Sequence, residues 1–200
     1  MKNFTERLGI TGHLTIIKKH KNGKEEILLD DHNVIVSGMG VGLSYLFTAS
    51  GSDTITDYQI DRFQLGASGN TALEVSTTSY LSGALGPLQY GEDSNLYIKQ
   101  NTQINGPNDV LLRTFAMIPA NKITKIGDAS VRYTLVVDEE ACNNLVGQHD
   151  EDEYLREIGL FMGNPRGSVV DASILVAYRA FSEIRKTSDF SLIFRWTLNF

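Results

Sequence analysis

The sequence predicts a mainly β protein: an antiparallel β-sandwich with one or two short helices and a projecting N-terminal hairpin. Three features carry that expectation. At the C-terminal end, Phe190, Leu192, Phe194, Trp196, Leu198 and Phe200 recur at a spacing of two, with Ser191, Ile193, Arg195, Thr197 and Asn199 between them. Successive side chains of an extended chain point to opposite faces, so one face of this segment is wholly apolar, as in a half-buried strand. Chain ends normally fray; one this aromatic has to lie in a sheet, near its centre, or press against a partner. The second feature is an Asn22-Gly23 pair between two alternating stretches, a short-range hairpin signal. The third is a pair of strand-like apolar runs at 110–118 and 130–137.

Taken in order, residues 12–20 alternate and are rich in Thr and Ile. Lys21-Asn22-Gly23-Lys24 then supplies the Asn-Gly pair favoured by tight turns with two positive φ angles, and 25–29 return as the second strand. Residues 12–29 are expected to project from the rest of the molecule as a hairpin. Asp30-Asp31-His32-Asn33 offers capping side chains ahead of 34–47. That stretch supports two readings. Val34, Ile35 and three glycines disfavour a helix, yet Val36, Met39, Leu43, Leu46 and Phe47 form a helical stripe, and the run is long for a buried strand. Residues 51–57 read as a loop, 58–67 as a strand, and 77–85 as a short helical or irregular piece. The polar region 89–108 has room for one short strand at Leu96-Tyr97-Ile98. The strands at 110–118 and 130–137 are expected to pair or to lie on facing sheets, joined by a turn at 119–128. Apolar strands follow at 157–161 and 174–178. With no internal repeat and no low-complexity linker, residues 1–200 form a single domain.

Composition sets bounds independently. The 200 residues are 42% hydrophobic and 21% charged, enough apolar material for a core without disulfides or metal. The formal charge is -6. Apart from the Lys18-Lys19-His20-Lys21-Asn22-Gly23-Lys24 group the basic residues are dispersed, so there is no footprint for direct nucleic-acid binding. A solvated hairpin tip accounts for that one cluster. The single cysteine, Cys142, leaves no internal disulfide and fits assembly in a reducing host cytoplasm. No stretch approaches the roughly 18 to 20 apolar residues that cross a bilayer, and residues 1–7 lack the apolar core of a signal peptide. A soluble chain with no membrane partner is expected.

The constellations that suggest chemistry each fall short. Gly38-Met39-Gly40-Val41-Gly42 resembles a phosphate-cradling loop, but the dinucleotide fingerprint needs a third glycine where Leu43 stands, and no Gly-Lys-Ser/Thr triplet exists. Gly38 and Gly42 share a helix face if this segment is helical, which suits close packing. Asp30-Asp31-His32 and His149-Asp150-Glu151-Asp152-Glu153 hold metal-ligand types at adjacent positions that point in different directions, so both read as solvated acidic loops. Cys142 has no histidine near it in sequence. No catalytic, cofactor-binding or metal residues are assigned, and no cofactor is expected. Glu157 has two readings, a buried carboxylate paired with Arg179, Arg185 or Arg195, or a residue at a strand rim. Trp196 also has two, core or interface anchor. The interface candidates are Lys18, Lys21, Asn22, Lys24, Trp196 and Phe200.

The order of several short motifs carries a resemblance. Asn33-Val34 enters an apolar Gly-rich segment; Phe63-Gln64-Leu65-Gly66 precedes Thr77-Thr78-Ser79-Tyr80-Leu81; Glu157-Ile158-Gly159-Leu160-Phe161 is followed by an apolar strand, by Phe181-Ser182-Glu183-Ile184-Arg185-Lys186, and by the closing Trp196-Thr197-Leu198-Asn199-Phe200. This series resembles small structural proteins of tailed bacteriophages, of the collar-fibre, neck and baseplate-attachment type. The likeness favours the helical reading of 34–47. It implies a non-enzymatic virion subunit that joins neighbouring rings or fibres in the tail apparatus. Such a subunit would be a homo-oligomer, ring or trimer, with other phage structural proteins as partners. Alternatives are a capsid decoration or cement protein, distinguished by copy number, and a carbohydrate- or receptor-binding module, which needs a surface row of Trp or Tyr.

Overall fold

The computed structural model describes residues 9–51, 53–69, 81, 85, 98–101, 113–145, 153–167 and 173–200. The described strands are β1 (Thr11–His20), β2 (Glu25–His32), β3 (Val34–Ile35), β4 (Ile60–Gly66), β5 (Ile98–Asn101), β6 (Arg113–Met117), β7 (Ile123–Gly127), β8 (Ser130–Val137), β9 (Leu155–Gly163), β10 (Ser173–Ile184) and β11 (Phe190–Asn199). They form two antiparallel sheets. The first runs β2-β1-β11-β8-β7 and the second β3-β10-β9-β4-β6-β5. Helix α1 (Ser37–Phe47) and, among the described residues, 3-10 turns at Ile55–Tyr58 and Ala120–Lys122 accompany them. The mainly β, antiparallel sandwich expected from the sequence is the fold observed.

The C-terminal alternation explains how the layers meet. β11 is the middle strand of the first sheet, paired along its whole length with β1, Thr11 opposite Asn199 and His20 opposite Phe190, and on its other side with β8 from Leu192 to Asn199. Its even-numbered side chains Leu192, Phe194, Trp196 and Leu198 are fully buried. They share one core with Phe63 and Leu65 of β4 and with Ile158, Leu160 and Met162 of β9. Trp196 and Phe63 stack across the gap between sheets with ring centres 6.1 Å apart, and Phe194 meets Phe181 of β10 at 6.3 Å. Each such side chain contributes roughly 1.5–3 kcal/mol on full burial. The strands expected at 110–118 and 130–137 fall on facing sheets, as β6 and β8.

The ambiguous stretch 34–47 splits into the short β3 and then α1, so the helical reading holds from Ser37 onward. Its glycines act by close approach. A Cβ on Gly38 would overlap the Leu175 carbonyl oxygen of β10, and one on Gly42 would overlap Met162 Sδ of β9. Met39 enters the core, but Phe47, the last helical residue, stands 82% exposed past the edge of the packing surface.

Four local expectations are corrected. The hairpin at 12–29 forms but does not project, because β1 is flanked by β11 as well as by β2. Its turn is a three-residue loop with one positive φ, +84° at Gly23, since Gly23 N–H bonds to His20 O (2.8 Å) and Asn22 Oδ1 accepts from the Lys24 amide (3.0 Å). The 119–128 connection contains the Ala120–Lys122 turn and strand β7, which folds back on β8. Asp30, Asp31 and His32 belong to β2, not to a loop. Among the expected features outside the described residues are the Thr77-Thr78-Ser79-Tyr80 motif, residues 110–112 and the acidic run 149–152. Leu81 and Leu85 are described. Both are buried, with Leu81 N–H donating to Gln64 Oε1 (2.6 Å) and Leu85 N–H to Leu65 O (2.9 Å).

Candidate functional site

Glu157 is the most deeply buried carboxylate among the described residues, and its register explains how. It lies opposite Gly66 on β4, where any Cβ would overlap its side chain. Two hydroxyls satisfy it: Tyr178 Oη donates to Oε2 at 2.8 Å and Ser68 Oγ to Oε1 at 2.7 Å. Among the described residues no arginine pairs with it; Arg179 of β10 turns instead to Asp31 of β2 and links the two sheets. Burial and the bond to Glu157 push the Tyr178 phenol well above its ordinary range. The carboxylate is thus held between two hydroxyl donors under a glycine.

A second polar knot lies before β11. Lys186, nearly inaccessible, donates to Asn143 Oδ1 (2.9 Å) and Thr187 O (2.8 Å) and sits 5.3 Å from the centre of the Phe190 ring. Burial depresses its pKa. Beside it Cys142 is buried, and burial pushes its thiol up to about 12. Among the described residues no group of three His, Cys, Asp or Glu side chains could hold a metal ion.

The accessible features lie on the first sheet. Among the described residues, β2 and β7 are the two outer strands of this sheet and pair on one side only. β2 is exposed at every position except Leu29, and Ile27 is 63% exposed. Register places Ile27, Ile17, Ile193 and Val136 in one row across four strands of the outward face, an aliphatic stripe where polar side chains are usual. Between β2 and the end of β10 the sandwich opens into a groove of about 320 Å³, its floor formed by Ile16, Leu29, Phe181, Ile184 and Phe190. Leu28, the extra residue of a bulge in β2, and Lys18 border it; Lys18 Nζ lies 4.5 Å above the Phe190 ring.

The sequence-based candidates separate accordingly. Lys18 lines the groove, while Lys21, Asn22 and Lys24 are exposed in the adjoining turn. Phe200 is 47% exposed, its amide bonded to Ala129 O (2.9 Å). Trp196 is removed from the set of contacts: it is fully buried inside its own chain, and its indole N–H has no hydrogen-bond partner among the described residues. Sequence reasoning missed the β2 and β7 edges, whose only signal was charge: acidic at 25, 26, 30 and 31, basic at 122 and 125.

A second exposed apolar pair, Phe47 and Ile55, flanks the loop after α1. Arg166 fixes that loop, donating to Thr48 O (2.8 Å), Thr48 Oγ1 (3.0 Å) and Tyr58 Oη (3.2 Å), with Asp53 at 3.6 Å. Comparison with protein-family models, curated proteins and solved structures finds no match to this chain.

Proposed function

We propose that this chain is a non-enzymatic structural subunit of a tailed-phage virion, assembled in the host cytoplasm, that joins neighbouring rings or fibres in the neck, collar or baseplate. The observation that carries the reading is the pair of open strand edges on the first sheet, bordered by exposed Ile27 and Ile126. Open edges offer main-chain pairing and adjacent apolar side chains offer specificity, the means by which rigid β modules bind extended or strand-like partners. The buried carboxylate, lysine and thiol all serve packing, which supports assembly over catalysis. The ordered motif series described above supplies the setting, and its partners are other phage structural proteins. The test is to assemble particles with a tagged copy of the chain and image them with a labelled antibody. Label is expected at a ring or fibre junction of the tail. Label spread over the head would transfer the chain to the decoration proteins, and purified particles free of it would refute the proposal.

A further inference from the structure

The two open edges of the first sheet carry opposite charge. β2 contributes Glu25, Glu26, Asp30 and Asp31 and has no lysine or arginine. The β7 edge contributes Lys122 and Lys125 and has no carboxylate between them, and Arg132 of β8 stands next to Thr124. Lys122 and Lys125 are exposed and make no ion pair among the described residues. On β2, Asp31 is held by Arg179 and Glu26 lies 3.7 Å from His20, both on their own chain. The registers also match the faces. Glu26 lies opposite Lys18, on the side of the sheet that carries Leu14 and Ile16, and Lys125 lies opposite Val131, on the side that carries Tyr133 and Leu135. Both side chains therefore belong to the core-facing side of the first sheet.

We propose that β2 of one copy of this chain pairs with β7 of the next, so that the first sheets of successive copies run on as one sheet. The five strands alternate in direction from β2 to β7, so the two edges point the same way. A copy related by rotation about an axis along the strands meets its neighbour in a parallel junction. Charge decides against the two-fold alternatives. β2 against β2 would set acidic side chains against acidic ones, and β7 against β7 would set lysine against lysine, arrangements that destabilise a ladder. A head-to-tail contact leaves one free β2 and one free β7, and it repeats until a ring closes or a filament grows. This deepens the assembly reading and rests on it only for the expectation that copies meet. The experiment uses the isolated full chain, so a negative result would remove the pairing while the labelled-particle test decides the virion role separately.

Sedimentation of the purified chain over a range of concentrations should show species heavier than the monomer at low salt that shift toward monomer at high salt, as screened edge charges require. Glu26→Lys and Lys125→Glu should each weaken association by about tenfold. One chain carrying both should restore it, because opposite charges then face each other at every junction, and an equal mixture of the two variants should restore it in filaments and even-numbered rings, where the variants alternate. Circular dichroism of each variant checks folding, and Glu26→Gln and Lys125→Gln provide milder versions that should weaken association in the same direction. A chain that stays monomeric at every concentration would overturn the proposal. So would an oligomer indifferent to Lys125→Glu, or one strengthened by Glu26→Lys alone, which is the signature of β2 meeting β2.

Discussion

At the residue scale, buried ionisable groups set how this protein responds to alkali. Burial raises the Cys142 thiol from 9.0 and the Tyr133 phenol from 10.0, each to about 12, and raises Tyr178 further through its bond to Glu157. In all three the folded state favours the protonated form. Their contribution is therefore complete below the unfolded-state values. As pH climbs past 9 to 10 the unfolded chain loses protons that the folded chain retains, so stability declines until the folded groups ionise too. Melting temperature should fall toward about pH 11, with Lys186, whose pKa is depressed by burial, working in the opposite direction below its unfolded value. Cys142→Ala and Tyr133→Phe should each flatten part of that fall. A melting temperature unchanged to pH 11 would show that these groups are solvated. Glu157 shows how far single-residue reading reaches. The cost of burying a carboxylate demands a partner, but the sequence offers arginines at 179, 185 and 195 while the fold uses the hydroxyls of Tyr178 and Ser68. Partner choice depends on cross-strand neighbours, which residue type alone does not encode.

At the scale of elements, the three glycines of α1 occupy different environments and predict three different outcomes. Gly38→Ala drives a methyl into the Leu175 carbonyl oxygen, a backbone atom fixed in β10, and should be strongly destabilising, by about 2–4 kcal/mol. Gly42→Ala meets Met162 Sδ, the flexible end of a side chain, and should cost less. Gly40 faces open space, so Gly40→Ala should stabilise by about 0.5–1 kcal/mol through helix propensity. Urea denaturation of the three variants gives the order directly, and equal losses at all three positions would refute the packing role. The β1–β2 turn makes a second case. Gly23 has φ +84° with nothing near its Cβ position, so Gly23→Val suffers from backbone strain alone. Because β1 is paired on both sides, that strain should lower the melting temperature of the whole domain. Local loosening at an unchanged global transition would mean that the hairpin is an independent unit.

At the scale of the molecule, what was legible in the sequence is what repeats at short range. β11 and β8 were readable because their buried faces alternate strictly, Phe190 to Leu198 and Tyr133 to Val137. β7 was not, because Ile123-Thr124-Lys125-Ile126-Gly127 is a short outer strand, exposed along nearly its whole length and paired by the fold-back onto β8. The role of β1 was hidden for a different reason: its second partner, β11, is far away in sequence, and a hairpin with one known partner looks as if it projects. The edge site was hidden likewise, since being an edge is a property of strand order. The same topology makes the last residues decisive. Deleting Trp196 to Phe200 removes two fully buried side chains, Trp196 and Leu198, and breaks half of the pairing of β11 with β8 and four of its ten pairs with β1. Loss of a buried Trp alone costs about 3–5 kcal/mol and of a Leu about 2–5, a sum comparable with the ~5–15 kcal/mol that holds a domain together. The truncated chain should be insoluble or lack a cooperative transition. Deleting Phe200 alone should leave a sharp one, because its side chain is 47% exposed and only its amide is engaged. A five-residue truncation that melts cooperatively near the full-length temperature would mean that β11 is not the central strand of the isolated chain.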